Sequence, residues 1–114
     1  MKNSNPLQSM LEVDRLIHEP ARLIILSILY VLESADFLYL LRETGLRKGN
    51  LSSHLTRLEQ AKYITIEKTY RGKTPMTICR LTRAGQVAFE TYREQLKNVV
   101  DAMYESQHFR VSTG

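Results

Sequence analysis

One cysteine, Cys79, stands in 114 residues. An intrachain disulfide framework is thereby excluded, and a reducing, cytoplasmic setting is expected. No apolar stretch approaches the roughly 20 residues of a membrane span, the run Leu23 to Leu32 being too short, so no membrane partner is expected. The first ten residues, MKNSNPLQSM, carry no apolar signal core. The constellations of enzymes are missing as well: there are no paired acids on one face, no nucleophile beside a base and no glycine-rich phosphate loop. Arg71-Gly72-Lys73 reads as a turn. A metal sensor needs clustered Cys, His and carboxylate ligands, and Cys79 with the scattered His18, His54 and His108 gives no such spacing. No catalytic residue, metal or cofactor is expected.

What is present is ordinary in bulk and uneven in arrangement. With 43% hydrophobic and 25% charged residues, the chain has the size and composition of one globular domain. Its formal net charge is +4, but residues 1–35 carry three Lys/Arg against four Asp/Glu, residues 36–85 carry ten against four, and residues 86–114 carry three against four. The central half alone is basic, at +6. A positive field focused on one part of the surface is what attracts phosphates.

Periodicity divides the chain. Pro6 opens a short helix with Leu7, Met10, Leu11, Leu16 and Ile17 on one side, ending near His18 because Pro20 disfavours helix in the residue before it. Pro20 suits the first turn of a second helix, about Pro20 to Glu33, whose Leu23, Leu26, Ile28, Leu29 and Leu32 mark it as central to the core. Ser34 and Asp36 offer caps for a third helix, roughly Asp36 to Thr44, closed by Gly45. After the turn Gly45-Leu46-Arg47, a fourth helix of about Lys48 to Ala61 carries Leu51, Leu55 and Leu58 at i, i+4 and i+7. These two short helices and their glycine turn form a helix-turn-helix candidate.

The period then changes. Tyr63 to Tyr70 and Met76 to Thr82 are rich in β-branched and aromatic residues, and Arg71 to Pro75 between them is turn chemistry, so a β-hairpin with a basic tip is expected. Thr82 caps a last helix of about Arg83 to Glu105, with Ala84, Ala88, Tyr92, Leu96, Val99 and Met103 recurring every three or four residues. Such a helix spans about 35 Å, more than so small a body covers. Met1 to Asn5 and Ser106 to Gly114 read as loose tails.

The segment Asn50-Leu51-Ser52-Ser53-His54-Leu55-Thr56-Arg57-Leu58-Glu59, followed by Ala61-Lys62-Tyr63-Ile64, resembles the recognition helix and first wing strand of MarR/ArsR-type winged helix-turn-helix transcriptional regulators. Tyr70 to Pro75 is similar to the wing tip of that family and Leu81-Thr82-Arg83-Ala84-Gly85 to its exit into the last helix, the likeness running from about Ile17 to Phe89. The resemblance implies a mainly α (α+β) winged helix-turn-helix with a two-stranded wing. The expected parts are an arm helix at 6–18, a winged-helix core at 20–82 and a C-terminal helix at 83–105.

With the three leucines inward, 100° per residue puts Gly49, Ser53, Thr56, Arg57 and Gln60 on the far side of the fourth helix, and Asn50 and Ser52 nearer its edges. Arg57 suits the O6 and N7 of guanine, Asn50 and Gln60 suit adenine, and Ser53 or Thr56 suit phosphate or a thymine methyl. Arg47, Lys48 and the helix's free N–H groups make a phosphate clamp, while Arg71 and Lys73 are placed to reach a minor groove. His54, beside the leucine stripe, is expected to be a half-buried packing or hydrogen-bonding residue, His18 to serve the bend before Pro20, and Cys79 to be a buried, inert thiol rather than the peroxide-sensing thiol of some MarR relatives. Two positions depart from the family pattern. Lys62 stands where glycine is common, so the helix exit is expected to be achieved otherwise than by a left-handed turn, and Arg47-Lys48 replaces a Ser/Thr/Asp cap.

Leu7, Leu11, Tyr92, Leu96, Val99 and Met103 exceed what a winged-helix body covers, and a homodimer paired through the two arms is expected to bury them. The reading is therefore a sequence-specific regulator of double-stranded DNA, a repressor or autoregulator, whose effector is a small molecule or nothing at all. Its alternative is a winged-helix module for a protein partner, with little sequence-specific DNA binding.

Overall fold

The protein's structure, a computed structural model, describes residues 5–113, and side chains through residue 107. The centre of the fold is α1 (Pro20–Leu32), entered through the Glu19 carboxylate, which accepts from the Arg22 N–H at 2.8 Å. Ile25, Leu26 and Leu29 on its inner face are wholly buried. They meet Leu40 of α2 (Phe37–Thr44), Leu51, Leu55 and Leu58 of α3 (Lys48–Gln60), and Phe89 and Tyr92 of α4 (Arg83–Thr113) in one cluster. The leucine stripe expected on α3 is thus the face that enters the core.

The hairpin is made of β2 (Ile64–Arg71) and β3 (Thr74–Leu81), paired antiparallel from Ile64 opposite Leu81 to Arg71 opposite Thr74. Gly72 turns it with a φ of 63°, a value that an L side chain rarely adopts. The two strands of the wing are as expected, but they belong to a three-stranded sheet. Ser34–Asp36 forms β1, pairs with Arg80 to Ile78 of β3, and puts β3 in the middle of the order β1-β3-β2. Asp36 still caps α2, its carboxylate accepting from the Tyr39 N–H at 2.7 Å. Three residues are too few to show a period of two, and the Leu81 N–H donating to the Glu33 carbonyl at 3.0 Å closes the strand onto the end of α1.

Both chain ends differ from expectation. The segment read as an arm helix over 6–18 holds only one 3₁₀ turn, Gln8–Glu12. It stops at Val13, which is extended with ψ of 152°, because the Asp14 carboxylate takes the N–H groups of Leu16 and Ile17 at 2.9 and 3.3 Å and outcompetes the helical carbonyls. Val13 and Ile17 are nonetheless core residues. At the other end α4 continues through Thr113, past the expected stop at Glu105, so the segment from Ser106 is helical and not a loose tail. No glycine or proline occurs between residues 86 and 113 to end it. Of the N-terminal tail, residues 1–4 lie outside the described residues.

Candidate nucleic-acid interface

The helices differ in how they begin. α1, α2 and α4 each open on a side-chain oxygen, that of α4 being the Thr82 hydroxyl, which accepts from the Gly85 N–H at 2.9 Å. α3 opens on Arg47, which makes no side-chain cap. Its first N–H groups meet no capping oxygen and sit beside the exposed Arg47 and Lys48. That end of a helix carries a partial positive charge, so cation and dipole add.

The outer face of α3 is polar and open. Gly49, Asn50, Ser52, Ser53, Thr56, Arg57 and Gln60 are all exposed, while Leu51, Leu55 and Leu58 hold the opposite face in the core. Ser52 and Thr56 line the groove where α3 meets the sheet, with Ile66 and Lys68 of β2 across from them. Arg71 and Lys73 are exposed at the wing tip. A second cleft is lined by Lys48 of α3, Arg71 and Pro75 of the wing, and Asp36 before α2. The helix N-terminus and the wing therefore share one basic edge.

α3 leaves this face by a left-handed turn after all. Lys62 has a φ of 67°, the Tyr63 N–H donates to the Leu58 carbonyl at 3.0 Å, and the Lys62 N–H donates to the Glu59 carbonyl at 2.9 Å. This pair of bonds is a Schellman motif, with lysine at the position that glycine favours. The strain is held from outside, because the Thr82 hydroxyl donates to the Lys62 carbonyl at 2.7 Å. Thr82 thus closes α3 and opens α4 with one side chain.

A polar network beneath α3 was not visible in the sequence. Arg22, on α1, is only 9% exposed. Its Nε donates to the Leu16 carbonyl at 2.6 Å and its Nη1 lies 3.0 Å from Nδ1 of His54, so His54 is a hydrogen-bonding residue of the half-buried face of α3. Beside it the Tyr63 hydroxyl donates to Asp14, and burial followed by that carboxylate pushes the Tyr63 phenol up to about 12. The one sequence signal was a cation set inside the aliphatic stretch of α1.

A family model described as a winged helix DNA-binding domain matches residues 21–100. The chain belongs to this family. An uncharacterized protein of Methanocaldococcus jannaschii is 35% identical over 78 residues, covering 68% of this chain and 85% of that one. Among solved structures, a transcriptional regulator homologue from Pyrococcus horikoshii superposes with a TM-score of 0.79 at 26% identity, covering 86% of this chain and 96% of that one. NadR, solved in complex with 4-hydroxyphenylacetate, shares the fold with a TM-score of 0.64 at 21% identity, over 82% of this chain and 68% of its own. A winged helix DNA-binding family and a transcriptional regulator homologue among the solved structures agree with the winged helix-turn-helix regulator read from the recognition helix and wing.

Of the residues expected to pair between subunits, Leu7, Leu11 and Met103 are exposed, Leu11 to 74%, and Leu96 is half-buried. Tyr92 and Val99 are only 3% and 5% exposed within the single chain, so their apolar surface is already covered and does not need the pairing expected of it. His18 does more than serve a bend: its Nδ1 lies 2.7 Å from the Tyr92 hydroxyl and ties the approach to α1 onto α4. Cys79 is fully buried in β3, and burial, reinforced by Glu59 and Asp36, pushes its thiol up to about 11. The side chain of His108 lies outside those described. Among the described residues no group of three or more His, Cys, Asp or Glu is placed to hold a metal ion, and no helix is long and apolar enough to cross a membrane.

Proposed function

We propose that this winged-helix regulator is a sequence-specific repressor of double-stranded DNA that works as a homodimer. α3 lies in the major groove, where Arg57 pairs with guanine, Asn50 and Gln60 read adenine, and Ser53 and Thr56 take phosphate or a thymine methyl. Arg47, Lys48 and Ser52 hold the backbone, and Arg71 and Lys73 reach the adjoining minor groove. One observation carries the reading: Lys48, at the uncapped start of α3, and Arg71 of the wing line one cleft, and the outer face of α3 is polar and exposed.

Pairing is supported by the apolar residues that the single chain leaves exposed on its arms, Leu7 and Leu11 at one end and Val100 and Met103 on α4. A two-fold axis through these arms sets two recognition helices about 34 Å apart, one turn of DNA. NadR binds a small aromatic acid, which extends the proposal to an effector. The groove along Ser52 and Thr56 is where such a ligand would compete with DNA.

Selection of bound sequences from random duplex DNA, followed by titration against salt, tests the reading. The expected result is a roughly palindromic site and a steep negative salt slope. Equal affinity for every duplex points instead to a protein-binding winged helix. Sedimentation at micromolar concentration should show twice the chain mass, and a monomer removes the paired half-sites.

A further inference from the structure

We propose that His54, through its hydrogen bond to Arg22, is a positioning residue that fixes the rotation of α3 and so sets how sharply operator DNA is told from other duplexes. The inference rests on the DNA-reading function proposed above.

Arg22 is a buried cation that forms no ion pair with a carboxylate among the described residues. Such a group is a poor source of stability, so its directional bonds are where its contribution lies. The guanidinium has donors only, so His54 Nδ1 accepts, and the imidazole proton sits on Nε2. Everything else that holds the inner face of α3 is leucine. Apolar contact is non-directional and tolerates a small turn of the helix about its axis, whereas a hydrogen bond weakens steeply with angle.

A small turn matters at the DNA face. Arg57 follows His54 by three residues and Asn50 precedes it by four, so both lie on the neighbouring rows of the helix. With a helix radius of about 6 Å including side chains, a rotation of about 10° carries those side chains roughly 1 Å. Reading geometry is held to about 0.5 Å. The far end of the tie is itself fixed. Arg22 also bonds the Leu16 carbonyl, in the segment folded by Asp14, and Asp14 accepts from Tyr63 just beyond the end of α3. One short segment therefore grips the recognition helix at its middle and at its exit.

The test measures, for the full chain and its variants, the ratio of affinity for the selected operator to affinity for an unrelated duplex. His54→Asn supplies an acceptor in place of Nδ1 and should keep that ratio within about twofold. His54→Leu and Arg22→Met each remove one partner and should lower it at least about tenfold, the worth of one misplaced base contact. The double variant replaces both partners by apolar groups of similar size, which buried pairs tolerate in folding. It should fold, bind the unrelated duplex as the wild type does, and discriminate about as poorly as either single variant. A folded double variant with the wild-type ratio overturns this inference alone, as does a loss in His54→Asn equal to that in His54→Leu. A wild-type chain with no preference among duplexes overturns the DNA-reading function and this inference with it.

Discussion

Gly85 lies so close to Tyr63 that a Cβ built on it would stand 2.1 Å from the Tyr63 carbonyl oxygen and 2.9 Å from Cδ1 of Leu81. The first turn of α4 passes directly over the chain leaving α3, and the neighbour is backbone, which cannot swing aside. Gly85→Ala should therefore cost about 3 kcal/mol, at the upper end of overpacking. The loss should appear as a lower urea midpoint, and an unchanged midpoint would mean that α4 can shift without penalty.

Lys62 calls for the opposite substitution. Its left-handed conformation costs roughly 1–2 kcal/mol for a residue with a Cβ, and the added freedom of the unfolded chain takes back about 0.4–1, so Lys62→Gly should stabilise the fold by about 0.5–1 kcal/mol. Thermal unfolding of the two proteins side by side measures it. Destabilisation would show that the lysine stem makes contacts worth more than the strain.

At the DNA face two cations should behave differently. Arg57→Ala should relax base preference at one position per half-site by about 1–3 kcal/mol, whereas Lys73→Ala should weaken all sequences alike and flatten the salt slope by about one. Repeating the selection and the salt titration with each variant separates the two roles. Identical effects would sink the division between a reading helix and a backbone-holding wing.

Alkaline pH should weaken the fold through two groups. The Cys79 thiol is pushed up to about 11 from an ordinary 9, chiefly by burial, and the Tyr63 phenol to about 12 from 10. Below pH 9 both groups are protonated in the folded and unfolded states, and their neutral forms contribute fully. Above it the unfolded chain loses its protons first, so stability falls as pH rises from about 9 towards 12. Urea titrations at pH 7, 9 and 10.5 should show the decline, and Tyr63→Phe should make it shallower. At pH 8 the native thiol should resist a disulfide reagent that modifies it once the chain is unfolded.

Much of this architecture could be read along the chain. Pro20, Gly45 and Thr82 punctuate helices whose leucines repeat at helical spacing, and Gly72 marks the wing, so α1, α2, α3 and the hairpin fell within a residue or two of their observed ends. What escaped depends on specific strand and side-chain contacts that periodicity does not carry. β1 is three residues long and exists only because β3 offers an edge. The helix expected before His18 is undone by one carboxylate, and the buried Arg22 takes its role from His54 and the Leu16 carbonyl, which the fold brings to it. Tyr92 and Val99 share the spacing of exposed arm residues, and spacing does not say which turns of a long helix the body covers.

α3 begins on Arg47 with no side-chain capping oxygen among the described residues. A phosphate oxygen seated there would do the work that Glu19, Asp36 and Thr82 do for the other helices. On the function proposed above, amide protons at Gly49 and Asn50 should therefore exchange more slowly on operator DNA than in the free protein, with the gain fading along α3 towards Gln60.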